Sequence, residues 1–199
     1  MAGAGRSRGP PRCPRGPGSC PPPGPPPPSA RACSAPAVAT YTAALICDTA
    51  VPAWHAGFRE MPYVFAGSAA SAAGGMGLLA TAPDAAEPAR KLAVLGACVE
   101  LVAKRRLIRR LAATPGPASL AEPYETGRPG AVFRVAEALT AGGLAGALLG
   151  RRSRALSALA GASLLAASAL TRFGIFEAGM ASARDPKYTI VPQRHRGAE

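Results

Sequence analysis

Apolar residues in this chain fall into long runs, and most of the charge is gathered in the connectors between them. A membrane span needs about 20 mostly apolar residues, and five stretches approach that pattern. Residues 37–54 carry one charge, Asp48, and end in Pro52, Trp54 and His55, an interfacial collar. Residues 61–82 carry none, and Pro62 stands near the first turn, where it costs little. Residues 86–111 are weaker, holding Glu100 and Lys104 and closing in a basic cluster of Arg105, Arg106, Arg109 and Arg110. Residues 131–150 carry Arg134 and Glu137 early on, and residues 155–180 form the fifth stretch. Runs such as 61–82 have no polar face to offer water. The pattern predicts an all-α integral membrane helical bundle of about five transmembrane helices.

Small residues recur along these runs at intervals of four. Gly67, Ser71 and Gly75 do so in the second stretch, Gly142, Gly146 and Gly150 in the fourth, and Ala158, Ala162 and Ala166 in the fifth. That spacing puts three small side chains on one helical face, where a second backbone can approach closely. The connector 114–129 holds four prolines and is expected to be irregular and outside the lipid.

The first 36 residues read differently. They hold twelve of the 22 prolines, six glycines, five arginines and no acidic residue. Such a stretch cannot bury a core and is expected to be a disordered, partly polyproline-like tail; it also lacks the apolar core of a signal peptide. The expected organisation is a tail over 1–36, a transmembrane domain over 37–182 and a cytoplasmic C-terminal tail over 183–199.

Composition sharpens this picture. The hydrophobic fraction is 48%, but aromatics supply only 5% and glycine reaches 23 residues, a balance suited to close helix packing in lipid. The net charge of +12 is compatible with nucleic acid or anionic lipid. Because the basic residues flank apolar runs, lipid is the expected partner and nucleic acid is not. With the helices alternating, the ends holding residues 55–60, 104–134 and the C-terminus carry thirteen basic residues beyond position 36, against five at the opposite ends. The positive-inside rule then places the C-terminus in the cytoplasm of a multi-pass cell-membrane protein. Five cysteines without a CxxC pair, and only His55 and His195, leave no ligand set at usable spacing for zinc, an iron–sulfur cluster or bis-histidine haem. Cys47 and Cys98 read as small packing residues.

Carboxylates at membrane depth are expensive and mark functional candidates. Asp48, Glu100 and Glu137 qualify, as a proton relay or as hydrogen-bonding partners of a quinone. Glu100 has Lys104 four residues on, in the favoured order for a helical pair, and Glu137 has Arg134 three residues before it. Asp48 has no basic residue within four positions. His55 and Glu60, in the collar between the first two stretches, are further quinone or proton-path candidates. No residue is expected to be catalytic or to ligate metal.

Several strings are familiar in order. Ala39-Thr40-Tyr41-Thr42-Ala43, then Thr49-Ala50-Val51-Pro52-Ala53-Trp54-His55, then Arg59-Glu60-Met61-Pro62-Tyr63-Val64-Phe65-Ala66-Gly67-Ser68-Ala69, resemble the middle of the NrfD/PsrC family, the polysulfide-reductase-type integral membrane subunits. Thr171-Arg172-Phe173-Gly174-Ile175-Phe176-Glu177-Ala178-Gly179 and Ala183-Arg184-Asp185-Pro186-Lys187-Tyr188-Thr189 resemble its C-terminal end. The resemblance spans residues 37–195 and corresponds to the C-terminal portion of such a subunit. It implies a non-catalytic membrane anchor of an iron–sulfur molybdoenzyme. Such an anchor passes electrons between membrane quinone (menaquinone or ubiquinone) and a ferredoxin-like iron–sulfur subunit, which serves a molybdopterin catalytic subunit. The residues leave two other readings open: a small ion- or proton-translocating membrane protein, and a non-functional gene fragment.

Overall fold

A computed structural model describes residues 28–113, 119–188 and 190, and among these the secondary structure is helical without a strand. Helix α1 spans Pro28–Cys47 and α2 Pro52–Ala56; α3 follows over Met61–Ala80 and α4 over Glu87–Ala112. Beyond a short α5, Glu122–Glu125, come α6, Gly127–Leu149, and α7, Arg154–Arg184. The start of α1 lies inside the stretch expected to be structureless; residues 1–27 are outside the described residues, as are 191–199 with His195. The connector expected to be irregular over 114–129 contains α5 and the first turn of α6.

Local chemistry fixes where these helices begin. Proline occupies the first or second position of α2, α3, α4 and α5, where its missing N–H is not needed. Ser153 caps α7 by accepting from the Leu156 amide at 3.3 Å. Gly127, at φ 63°, supplies the left-handed residue that separates α5 from α6.

Among the described residues, three helices are long and apolar enough to cross a membrane: Met61–Ala80, Gly127–Arg152 (α6 with a closing 3-10 turn) and Arg154–Arg184. The expected count of five is therefore reduced to three on length and composition. In the first stretch the apolar part of the helix is only Ala37–Cys47, because the chain bends at residues 48–50 before α2. The third stretch does form one helix, α4, of 26 residues, but its charges disqualify it by composition.

The long helices pair antiparallel. α3 packs on α4 and α6 on α7; α3 also lies along α7, α4 along α6, and α1 leans on α3. The close approaches run backbone to backbone. A Cβ on Gly67 would lie 2.6 Å from the Glu100 amide nitrogen, and one on Gly96 would strike the Ser71 amide. A Cβ on Gly75 would meet the Gly161 carbonyl oxygen at 2.8 Å. The expected stripe of Gly67, Ser71 and Gly75 thus serves two neighbours, α4 through the first two and α7 through the third.

The stripe expected on α6 differs at one of its three positions, where Gly143 takes the place of Gly142. Gly142 is exposed, with nothing within 4 Å of a Cβ built on it, whereas a Cβ on Gly143 would meet Leu164 Cγ at 2.7 Å. Gly146 and Gly150 do face α7, against Ala160 and Ser157. On α7, Ala160 and Leu164 meet this stripe, whereas Gly161 and Ser168 face Gly75 and Ser68 of α3; Ala162 and Ala166, expected to pack, are exposed.

Candidate functional site

The middle of the bundle holds charge. Glu100 and Lys104 of α4 project inward, both essentially inaccessible, with Nζ and Oε1 2.8 Å apart. Each has further polar partners: Ser71 Oγ of α3 donates to Glu100 Oε2 at 3.2 Å, Thr171 Oγ1 of α7 lies 2.9 Å from Oε1, and Lys104 donates to Thr171 Oγ1 at 2.7 Å. Lys104 Nζ also stands 5.6 Å from the centre of the Phe133 ring of α6. Four helices thus meet on one neutralised pair, the arrangement that makes buried charge tolerable.

The other carboxylates are elsewhere. Asp48 is exposed in the bend after α1, away from the bundle interior. Glu137 pairs with Arg105 of α4 at 3.4 Å, not with Arg134, whose guanidinium donates to the Glu125 carbonyl at 2.9 Å. Glu60 accepts from Arg110 Nε at 2.7 Å, locking the start of α3 to the end of α4. His55 Nδ1 lies 3.2 Å from the Cys47 carbonyl oxygen and stays at the surface. The five carboxylate and histidine candidates do not gather into one constellation; only Glu100 lies in the core.

The residues between α1 and α3 tie one end of the bundle together. Trp54 Nε1 donates to the Ile175 carbonyl at 2.8 Å, and its ring lies against Phe176 with centroids 6.3 Å apart. Tyr124 Oη donates to the Ala53 carbonyl at 3.1 Å. Tyr124 is buried, and that burial, seconded by Cys47, pushes its phenol well above the ordinary value. Nearby, Lys187 Nζ donates to Glu122 at 3.1 Å, and this bond raises the ammonium pKa.

A second polar group, not singled out by the sequence, is Arg172. It lies twelve residues before the end of α7, near the middle of that 31-residue helix. Its guanidinium donates to Ser68 Oγ at 3.2 Å, the Ser168 carbonyl at 3.0 Å and Ser168 Oγ, and lies 5.7 Å from the centre of the Phe65 ring. No ion pair to a carboxylate is found for it among the described residues. Bonding back to Ser168 turns the charge toward the helix middle rather than toward its nearer end. Arg172 is exposed, and its guanidinium sits on the wall of a cleft of about 390 Å³ between α1, α3 and α7, where Thr42 is joined by mostly apolar or aromatic groups such as Ile46, Trp54, Phe65, Ile175 and Phe176. The signal in the sequence was an arginine inside an apolar run, with Ser168 one turn before it.

Helix length and composition define the class: a membrane protein whose described residues are helical, with three membrane-length apolar helices among them. No protein-family profile, no curated protein and no solved structure matches this chain.

Proposed function

We propose that this chain is a membrane anchor subunit of an oxidoreductase complex, of the NrfD/PsrC kind, passing electrons between membrane quinone and a ferredoxin-like iron–sulfur subunit that serves a molybdopterin catalytic subunit. The observation that carries the reading is the Arg172 cleft. Its volume falls in the range of small-molecule sites, its walls are mostly apolar, and it offers one strong donor. A quinone brings a flat apolar ring, two carbonyl acceptors and an apolar tail, and so meets each of those features. Arg172 would donate to one carbonyl, while Trp54, Phe65 and Phe176 flank the ring. The quinone supplies the two-electron chemistry; the chain supplies position and a positive charge that favours added electron density.

The resemblance supports the same reading. Its separated strings converge at this end of the bundle, where Trp54 of the 49–55 string bonds Ile175 of the 171–179 string and Phe65 of the 59–69 string lies under Arg172. Asp48, His55, Glu60 and Glu137, lying at the surface or in peripheral ion pairs, receive no quinone role here. On this reading the basic ends of α4 and α6 face the cytoplasm of a multi-pass cell-membrane protein, together with the C-terminus. The rival reading, an ion or proton path through Glu100, has less support. Ala93, Ala97, Ala160 and Leu164 form an apolar cluster between that pair and the far end of the bundle.

The test is quinol-dependent reduction of the iron–sulfur partner in the purified complex. Arg172→Leu is expected to lower the rate about tenfold or more while the complex still assembles, in line with loss of a charge-assisted bond. A wild-type rate in that variant, or failure of the chain to co-purify with any iron–sulfur protein, overturns the reading.

A further inference from the structure

The outward face of α4 changes character along its length. Leu92, Leu95, Cys98 and Val102 are exposed in turn, and then Arg105, Arg106 and Arg109. Beside its basic end opens a groove of about 430 Å³ against the start of α3, lined by Arg59, Glu60, Tyr63, Cys98, Val99, Val102, Ala103 and Arg106. The groove is graded: two guanidinium groups stand at the end of the bundle, and below them runs an apolar floor from Val102 to Cys98. Arg106 and Cys98 are eight residues apart on one helix, roughly 12 Å in depth. Tyr63, exposed in the first turn of α3, stands at the rim, where amphipathic aromatics settle in a bilayer.

Glu60 also lines the groove, yet its charge is taken up by Arg110. Arg59 lies 5.5 Å from the centre of the Phe58 ring, and neither Arg59 nor Arg106 forms an ion pair with a carboxylate among the described residues. The wall is therefore net positive at one end and apolar at the other, and it adjoins α3, one of the membrane-length apolar helices. A soluble anion would use only half of it.

We propose that this groove is a specific site for an anionic phospholipid, with the headgroup phosphate held by Arg59 and Arg106 and an acyl chain laid along Tyr63, Val102, Val99 and Cys98. Basic pockets beside membrane helices select anionic headgroups in this way. The site is distinct from the Arg172 cleft, which lies on the α1 side of the bundle.

Native mass spectrometry of the full chain, released from nanodiscs of phosphatidylglycerol and phosphatidylcholine, tests it. The wild-type chain is expected to retain one phosphatidylglycerol and no phosphatidylcholine. Arg59→Ala with Arg106→Ala should lower the retained fraction about tenfold or more. Arg109→Ala with Arg128→Ala, which removes the same charge from the same end, should leave it unchanged. Val102→Gln, which keeps all charge, should weaken retention, and millimolar inorganic phosphate should not displace the lipid. Equal retention of both lipids, equal loss in the two double variants, an unaffected Val102→Gln, or displacement by inorganic phosphate would each overturn the site as a lipid site.

Discussion

Glu100 and Lys104 sit 2.8 Å apart, one helical turn from each other, with both side chains closed off from the surface. In that setting each charge depends on the other and on Ser71 and Thr171. Removing one partner is expected to destabilise the fold by about 3–5 kcal/mol, because it leaves the other buried and uncompensated. Glu100→Gln and Lys104→Met should each lower the melting temperature in detergent sharply, and the double variant should recover much of the loss. Additive losses in the double-mutant cycle would show that the pair is not coupled.

The glycine contacts make a contrasting pair of expectations. Gly96→Ala places a methyl group against the Ser71 backbone and should cost about 1–3 kcal/mol by forcing α3 and α4 apart. Gly142→Ala adds the same methyl group to open surface and should be neutral or stabilising by up to about 1 kcal/mol. Thermal unfolding of the two variants side by side checks this; equal effects would rule out the α3–α4 approach.

Tyr124 predicts an alkaline limit. Burial raises its phenol above the unfolded value of 10.0, so the folded state favours the protonated form. That contribution is complete below about pH 10 and is lost as the pH rises further. Titration followed by phenolate absorbance should show Tyr124 ionising only as the chain unfolds. Tyr124→Phe removes that late step and, with the bond to the Ala53 carbonyl gone, costs about 0.5–1.5 kcal/mol. A phenolate signal of unchanged size in the variant would contradict the assignment.

The sequence predicted the long helices of the bundle well, because apolar runs between charged connectors are a signal of composition and length alone. It was less informative wherever direction mattered. Hydropathy counts the charges of α4 without seeing that Glu100 and Lys104 point inward while the outward face from Leu92 to Val102 is uncharged. Adjacent Gly142 and Gly143 fit the same spacing, and only Leu164 of α7 selects between them. Glu137 had a near neighbour in sequence, but the guanidinium that reaches it belongs to another helix. Arg172 stands within the 155–180 stretch, and α7 continues twelve residues beyond it, so hydropathy alone does not show which neighbours its guanidinium meets. Proximity along the chain identified the Glu100–Lys104 pair but not the partner of Glu137, which a neighbouring helix supplies from the side.

The chain contains a single tryptophan, and Trp54 lines the cleft beside Arg172. Its indole is held by the Ile175 carbonyl. Intrinsic fluorescence excited in the indole band therefore originates at the proposed redox pocket alone, without any label. An electron-accepting molecule seated there quenches that emission, so occupancy is readable optically in the purified chain, with Arg172→Leu as its own control.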